Sequence, residues 1–253
     1  MKSKQVLRFY NSIAGEYDRM ISFGKRLDPE TPLFRYLIEK YSIRDALDAG
    51  AGSGFHSILL ARLGVNVTAV DISGEMLAKL KQNAKDQHVE IKTVRSDFLN
   101  LSLPSTSFDA IFCLGNSLVH IISAREMKKV ISNFAKLLKP GGVAIIQLLN
   151  YDRIMKQKES IQSIKRADGM LFIRYYEFIE KLIRFNLLTV DTGNLKHQLN
   201  TVLIHPVMIS DLESILKKSG FGRIELYGDL TLKPFSKNKS HDLVITARKN
   251  PKI

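Results

Sequence analysis

The chain has a single cysteine among its 253 residues, Cys113, which excludes an intrachain disulfide and any zinc site built from several cysteines. Cys113 falls inside an apolar run, where a small core residue is the expected role, and no metal site is expected. Long apolar segments are missing too. No run approaches the length that crosses a membrane, and the start Met1-Lys-Ser-Lys4 lacks the apolar stretch of a signal peptide, so the expected location is the cytoplasm with no membrane partner. The net charge of +13 comes from lysines and arginines spread along the whole chain, without an array of stacking aromatics among them. Solvated faces explain that distribution better than a nucleic-acid surface, although a summed positive field still favours anionic partners. The sequence leaves assembly into a homo-oligomer open.

What is present begins with 45% hydrophobic residues, enough for one sizeable core, and one glycine-rich signature, which together argue for one domain with an elaboration. The signature is Ala46-Leu-Asp-Ala-Gly-Ala-Gly-Ser-Gly-Phe55, an apolar run that ends in an acid and breaks into three glycines. Gly50, Gly52 and Gly54 let the backbone turn sharply and press against a ligand at the carboxyl end of a strand. The dinucleotide fingerprint needs glycine or alanine at Phe55 or Ser57, and a phosphate-binding Walker loop needs Gly-Lys-Ser/Thr, so both readings are disfavoured. Further strands are expected over Val65 to Val70, ending in Asp71; Val89 to Val94, followed by Ser96-Asp97-Phe98; Phe108 to Cys113; and Val143 to Leu149. Alternation of strands with helices predicts parallel pairing with helices on both faces, and two last strands over about 223–228 and 241–248 complete the sheet.

Helical spacing predicts a first helix over Lys2 to Ala14, with Val6, Phe9, Tyr10 and Ile13 on one face lying across the ligand cleft, and a second from about Thr31 to Tyr41. Another follows the glycine loop and stops at Gly64; its amino end carries roughly half a positive charge and free amide donors, which suits a carboxylate. Ser73 is expected to cap the next helix. Ser123-Ala-Arg-Glu126 and Ser210-Asp-Leu-Glu213 read as capping boxes, and Lys139-Pro-Gly-Gly142 reads as a stop before the fifth strand. Residues 151–209 are far longer than a simple connection. Their alternation at Phe172, Arg174, Tyr176 and Phe178, then Leu195, Gln198, Val202 and Ile204, predicts antiparallel strands beside the ligand crevice.

The acid Asp48 before G-x-G-x-G, with a second acid, Asp71, one β-α-β unit later, resembles motif I and its successor in the class I S-adenosylmethionine-dependent methyltransferases. That resemblance implies an α/β fold: a doubly wound, seven-stranded, mostly parallel Rossmann-like sheet with a strand-rich cap after strand five. Residues 1–253 would then form one methyltransferase domain, with 1–41 as a helical cover and 151–209 as a substrate cap. It implies S-adenosyl-L-methionine as cofactor, held by Asp48, Gly50, Ala51, Gly52 and Gly54. Asp71 would accept the ribose hydroxyls, Ile72 and Met76 would pack on the adenine, Asp97 and Phe98 would meet its amino edge, and Leu114 and Gly115 would contribute backbone. Gly15-Glu-Tyr-Asp-Arg-Met20 resembles the family's N-terminal Tyr-Asp element and makes Tyr17 a candidate at the sulfonium.

A narrower resemblance lies in Cys113-Leu-Gly-Asn-Ser-Leu-Val-His120 and Asn150-Tyr-Asp152, which look like glycine N-methyltransferase and its glycine/sarcosine relatives. Arg174-Tyr-Tyr176, His205-Pro206 and Tyr227-Gly-Asp229 follow in the same order. It implies that Asn116 orients a small-molecule acceptor with His120 close by, and that Asn150, Tyr151, Arg174, Tyr175 and Tyr176 surround it. In the glycine enzymes an arginine precedes the Asn-Tyr-Asp triplet; here that position is Leu149. A carboxylate clamp is therefore missing there, and glycine is not the expected substrate unless Arg174 compensates from the cap. The expected reaction is in-line methyl transfer to an amine. An oxygen acceptor would need His120 as base; an RNA or other nucleobase methyltransferase is a second reading, whose amino-methylating forms carry Asp/Asn-Pro-Pro-Tyr/Phe where Leu114-Gly-Asn-Ser117 stands; and a noncatalytic cofactor-binding protein is the remaining alternative.

Overall fold

In the computed structural model, residues 2–251 are described. Residues 1, 252 and 253, which the expected spans include, lie outside the described residues. Three helices lead, α1 (Lys2–Ile13), α2 (Tyr17–Ile21) and α3 (Phe23–Tyr41). Strands and helices then alternate as β1 (Asp45–Ala49), α4 (Phe55–Arg62), β2 (Asn66–Asp71), α5 (Gly74–Asp86), β3 (Lys92–Arg95), β4 (Phe108–Cys113), α6 (Ala124–Leu137) and β5 (Leu138–Leu149). After α7 (Tyr151–Gln157) come β6 (Ile161–Ala167), β7 (Met170–Ile179), β8 (Leu182–Asp191) and β9 (His197–Ile204). The chain closes with α8 (Ile209–Lys218), β10 (Phe221–Tyr227) and β11 (Asp242–Lys249). Among the described residues no helix is long and apolar enough to cross a membrane.

The seven-stranded sheet has the order β10-β11-β5-β4-β1-β2-β3, with only β11 antiparallel to its neighbours. Strands covered on both faces need apolar residues throughout, which is why β1, β4 and the second half of β5 are almost completely buried. Chain direction away from the sheet's middle reverses between β1 and β4, so their carboxyl ends open a crevice at the switch point. The second sheet, β6-β7-β8-β9, is antiparallel throughout and is inserted between β5 and α8. Pairing of Arg174 with Leu187 and of Tyr176 with Phe185 sets these side chains on one face, toward the crevice. Helix α1 crosses the same space, its Phe9 ring 5.6 Å from Phe185.

Several boundaries differ from expectation for identifiable reasons. Helix α3 starts eight residues before Thr31 and runs through Pro29 and Pro32. Both prolines are exposed, so the carbonyls they leave without a helical donor face water, while burial of Leu27, Phe34 and Leu37 holds the opposite face. Strand β3 starts three residues later than Val89, at Lys92. Strand β5 begins at Leu138, not Val143: Phe108 pairs with Leu138 and Ala110 with Val143, so Lys139 to Gly142 bulge within the strand. Leu195 sits on an exposed turn outside the strands.

Ser73 and Ser123 do cap their helices, accepting from the Met76 and Glu126 amides at 3.1 and 3.3 Å. The capping box expected at Ser210 does not form. Helix α8 begins at Ile209, two residues before the Asp211 that a Ser210 cap implies, and the carboxylate of Asp152, at the far end of the inserted segment, accepts from the Ile209 amide at 3.0 Å. A distant charged acceptor thus takes the place of a local hydroxyl.

Candidate active site

The crevice holds a cavity of about 760 Å³, of a size that takes a nucleoside-sized ligand together with a smaller molecule. At one end lies the glycine loop. Gly50 adopts φ +82°, and a Cβ on it would stand 2.7 Å from the Ser117 hydroxyl; Gly54 adopts φ +90°, where a Cβ would stand 2.5 Å from Leu80 Cγ. Neither position tolerates a side chain, so the loop stays flat against its surroundings. Asp71, at the end of β2, ties this loop down: its Oδ2 accepts from the Gly52 amide and its Oδ1 from the Ser73 amide, each at 2.8 Å. Burial raises the Asp71 carboxyl above its usual range while the amides oppose that shift. Each oxygen keeps a further lone pair, which suits a vicinal diol. Ile72, Asp97 and Phe98 continue the wall. Asp97 is turned by the amides of Leu99 and Asn100 at 2.9 and 2.8 Å.

At the other end the exit of β4 forms a left-handed turn, with φ +66° at Gly115 and +68° at Asn116. Asn116 is held on both sides of its amide, donating to the Tyr151 hydroxyl at 2.8 Å and accepting from the Leu149 amide at 3.1 Å. Tyr151 is also 3.2 Å from the Tyr176 hydroxyl, so a polar chain joins β4, α7 and the cap. Both phenols are kept protonated by burial, Tyr176 pushed up to about 12. His120 pairs through Nε2 with the Tyr10 hydroxyl at 2.8 Å, and its buried Nδ1 has no partner among the described residues. Burial pushes this imidazole down to about 4, which keeps it neutral at physiological pH. Tyr17 lies over the glycine loop, 3.5 Å from where a Gly52 Cβ would be, and burial pushes its hydroxyl up to about 12.

The structure brings Tyr17, Gly50, Ala51, Gly52, Asp71, Ile72, Asp97, Phe98, Leu114, Gly115, Asn116, His120, Arg174 and Tyr176 onto one cavity wall. Others expected there stand behind it. Asp48 is buried under the loop and accepts from the Ser57 hydroxyl at 2.6 Å, with burial pushing its carboxyl up to about 6. Gly54 packs on Leu80, and Met76 is fully enclosed in the core. Asn150 caps α7 and donates to the carbonyls of Lys237 and Ser240 at 2.9 and 3.0 Å. Tyr151 reaches the site only through Asn116 and Tyr176. Tyr175 points to the opposite face of the cap sheet from Arg174, because successive strand residues alternate.

Sequence reasoning missed Tyr10, Arg26 and Gln147. Tyr10 was legible only as one apolar position of α1. Arg26 lines the cavity with its guanidinium 4.3 Å above the Phe55 ring at the start of α4, and its Nε donates to Glu30 at 2.7 Å. Gln147 accepts from the Gly115 amide at 3.2 Å, holding the turn from the neighbouring strand. The last two sit in segments whose patterns signal only a helix and a buried strand.

A family model described as a methyltransferase domain matches residues 46–142. Glycine/sarcosine N-methyltransferase of Aphanothece halophytica is 31% identical over 216 residues, covering 85% of this chain and 80% of that one. The enzyme of the same name from Parasynechococcus marenigrum is 29% identical over 229 residues, covering 87% and 78%. Among solved structures, an S-adenosylmethionine-dependent methyltransferase from Clostridium acetobutylicum superposes with a TM-score of 0.81 at 21% identity, over 95% of this chain and 99% of that one, which supports the fold. Matched along most of its length and built on the glycine loop and acidic strand ends described above, the chain belongs to the S-adenosylmethionine-dependent methyltransferases, within the glycine/sarcosine N-methyltransferase family.

Proposed function

We propose that the enzyme methylates a small molecule at an amine nitrogen. When bound, S-adenosylmethionine supplies an activated methyl on a positively charged sulfur, which an amine lone pair takes without a strong base. The residues present fit that cofactor: the flat glycine loop and Leu114 offer backbone contacts, Asp71 keeps acceptors for ribose, Asp97 and Phe98 suit the adenine edge, and Arg26 and the start of α4 suit a carboxylate. Tyr17 would lie against the sulfonium, and residues 1–41 and 151–209 would act as cover and cap, excluding water from the reacting atoms.

The observation that carries the amine reading is the chemistry of the acceptor end. Asn116, Tyr151, Tyr176 and Tyr10 are all neutral groups held by one another, and His120, pushed down to about 4, is a weak base. Such a site aligns a nucleophile that brings its own lone pair, and alignment alone contributes roughly 7–11 kcal/mol. An oxygen acceptor would need its proton removed. The enzymes named for glycine and sarcosine support a small amine. Cys113 is an unpaired buried thiol, which suits a reducing compartment, and we place the enzyme in the cytoplasm on that reading. The test is labelled methyl transfer to separate pools of amines, phenols and RNA. Label in the amine pool is expected; label confined to phenols, and lost in His120→Gln, would defeat the proposal.

A further inference from the structure

Strand β4 pairs with β5 as far as Cys113 with Ile146, then leaves the sheet through the left-handed Gly115 and Asn116. Asn116 carries a Cβ, which that conformation disfavours, so contacts must hold the turn. One residue of β5 takes both of its amides. The Gln147 carbonyl accepts from the Asn116 amide, and the Gln147 side-chain Oε1 accepts from the Gly115 amide, each at 3.2 Å.

The other neighbour of β5 fixes that side chain. Gln147 pairs with Val244 of β11, and Asp242, two residues before Val244, stands on the same face as its diagonal neighbour. Asp242 Oδ2 accepts from Gln147 Nε2 at 2.9 Å, and Asp242 Oδ1 is 3.4 Å from His241 Nδ1. A carboxylate only accepts, so the amide nitrogen of Gln147 must face it. The amide oxygen is thereby turned to Gly115, whose N–H only donates. Reversing the glutamine amide would break both bonds at once. Gln147 is half-buried, and the charge-assisted bond offsets the rotamer freedom that a glutamine loses when it is held in one pose. Gln147, Gly115 and Asn116 line the cavity, whereas Asp242 does not.

We infer that Asp242 is a positioning residue of the active site: it sets the amide orientation of Gln147, and through it the turn that carries Asn116. This rests on the reading that Asn116 aligns the methyl acceptor. Near-attack geometry is sensitive to small displacements, so a loosened turn slows transfer even where the cofactor still binds.

The experiment compares wild type with Asp242→Leu, Asp242→Asn, Gln147→Glu and the double variant Gln147→Glu/Asp242→Asn. Amide hydrogen exchange at Gly115, read by NMR on the whole chain, needs no acceptor. Labelled methyl transfer to whichever of glycine, sarcosine and ethanolamine wild type labels fastest gives kcat and KM, and calorimetry gives cofactor affinity. Asp242→Leu should speed Gly115 exchange and lower kcat by at least about tenfold each, with cofactor affinity within about twofold. Asp242→Asn keeps a carbonyl that can accept, and should hold kcat within about threefold of wild type. Gln147→Glu sets two carboxylates against each other and should lower kcat; adding Asp242→Asn exchanges donor and acceptor and should restore most of it, a rescue that a merely structural role would not give. Wild-type exchange and kcat in Asp242→Leu, faster exchange without loss of kcat, or a double variant no better than Gln147→Glu would each overturn the inference and leave the amine reading standing. Label in none of the three amines would count against the amine reading, and Gly115 exchange across the same variants would then decide whether Asp242 sets the turn.

Discussion

At the glycine-loop end of the cavity the wall comes from consecutive strand exits, and its fixed contacts are backbone amides meeting nearby carboxylates, as Gly52 and Ser73 meet Asp71. At the Asn116 end the wall comes from segments far apart in sequence, and its contacts join side chain to side chain: Tyr10 to His120, Asn116 to Tyr151, Tyr151 to Tyr176. Backbone geometry repeats wherever the same local pattern occurs, whereas side-chain networks change with each substitution. The first end therefore suits an invariant cofactor and the second a variable acceptor.

The sharpest way to break this contrast is at the glycine loop. Gly54→Ala forces a side chain into a left-handed backbone and against Leu80, and should cost about 2–4 kcal/mol of stability, read as a lowered melting temperature. A variant as stable as wild type would mean that the loop relaxes freely. Asp71→Ala should weaken cofactor binding about tenfold to a hundredfold by calorimetry, since a charge-assisted hydrogen bond is worth about 1.5–3 kcal/mol, and should leave acceptor KM unchanged at saturating cofactor. Equal loss on both sides would blur the division between the two ends.

Smaller changes probe the acceptor network. Tyr151→Phe removes the link between Asn116 and Tyr176 and should lower kcat with cofactor affinity intact, and a double-mutant cycle with Tyr176→Phe should give a coupling of about 1 kcal/mol. Strict additivity would show that the phenols act separately. The gentlest probe is pH. His120 in the folded protein lies near 4, below its usual value, so the folded state binds fewer protons than the unfolded chain between pH 6.5 and 4, and stability falls as pH drops through that window. His56, pushed down to about 3, adds to this, while Asp48, raised to about 6, works in the opposite direction. Denaturant titrations should show a shallower loss between pH 6.5 and 4 in His120→Gln than in wild type.

The contrast between the ends also explains what was legible before any coordinates. Periodicity, the glycines and the strand-end acids specify β1 to β5 and their order, because each rests on interactions within a few residues: Ser73 caps its own helix, Gly50 turns its own chain. The same local logic reached too far at Ser210, where a carboxylate 57 residues away supplies the cap, and at α3, where buried Leu27 and Phe34 carry the helix through two prolines. Alternation in residues 170–204 showed that strands would form there, but which neighbour each strand meets, and that Tyr175 faces outward while Arg174 faces the cavity, follows from register in three dimensions. Tyr10 beside His120, Arg26 above Phe55 and Gln147 held by Asp242 are decided only by the tertiary structure. Each is a relation between side chains that the sequence separates by 29 residues or more, and no local pattern encodes it.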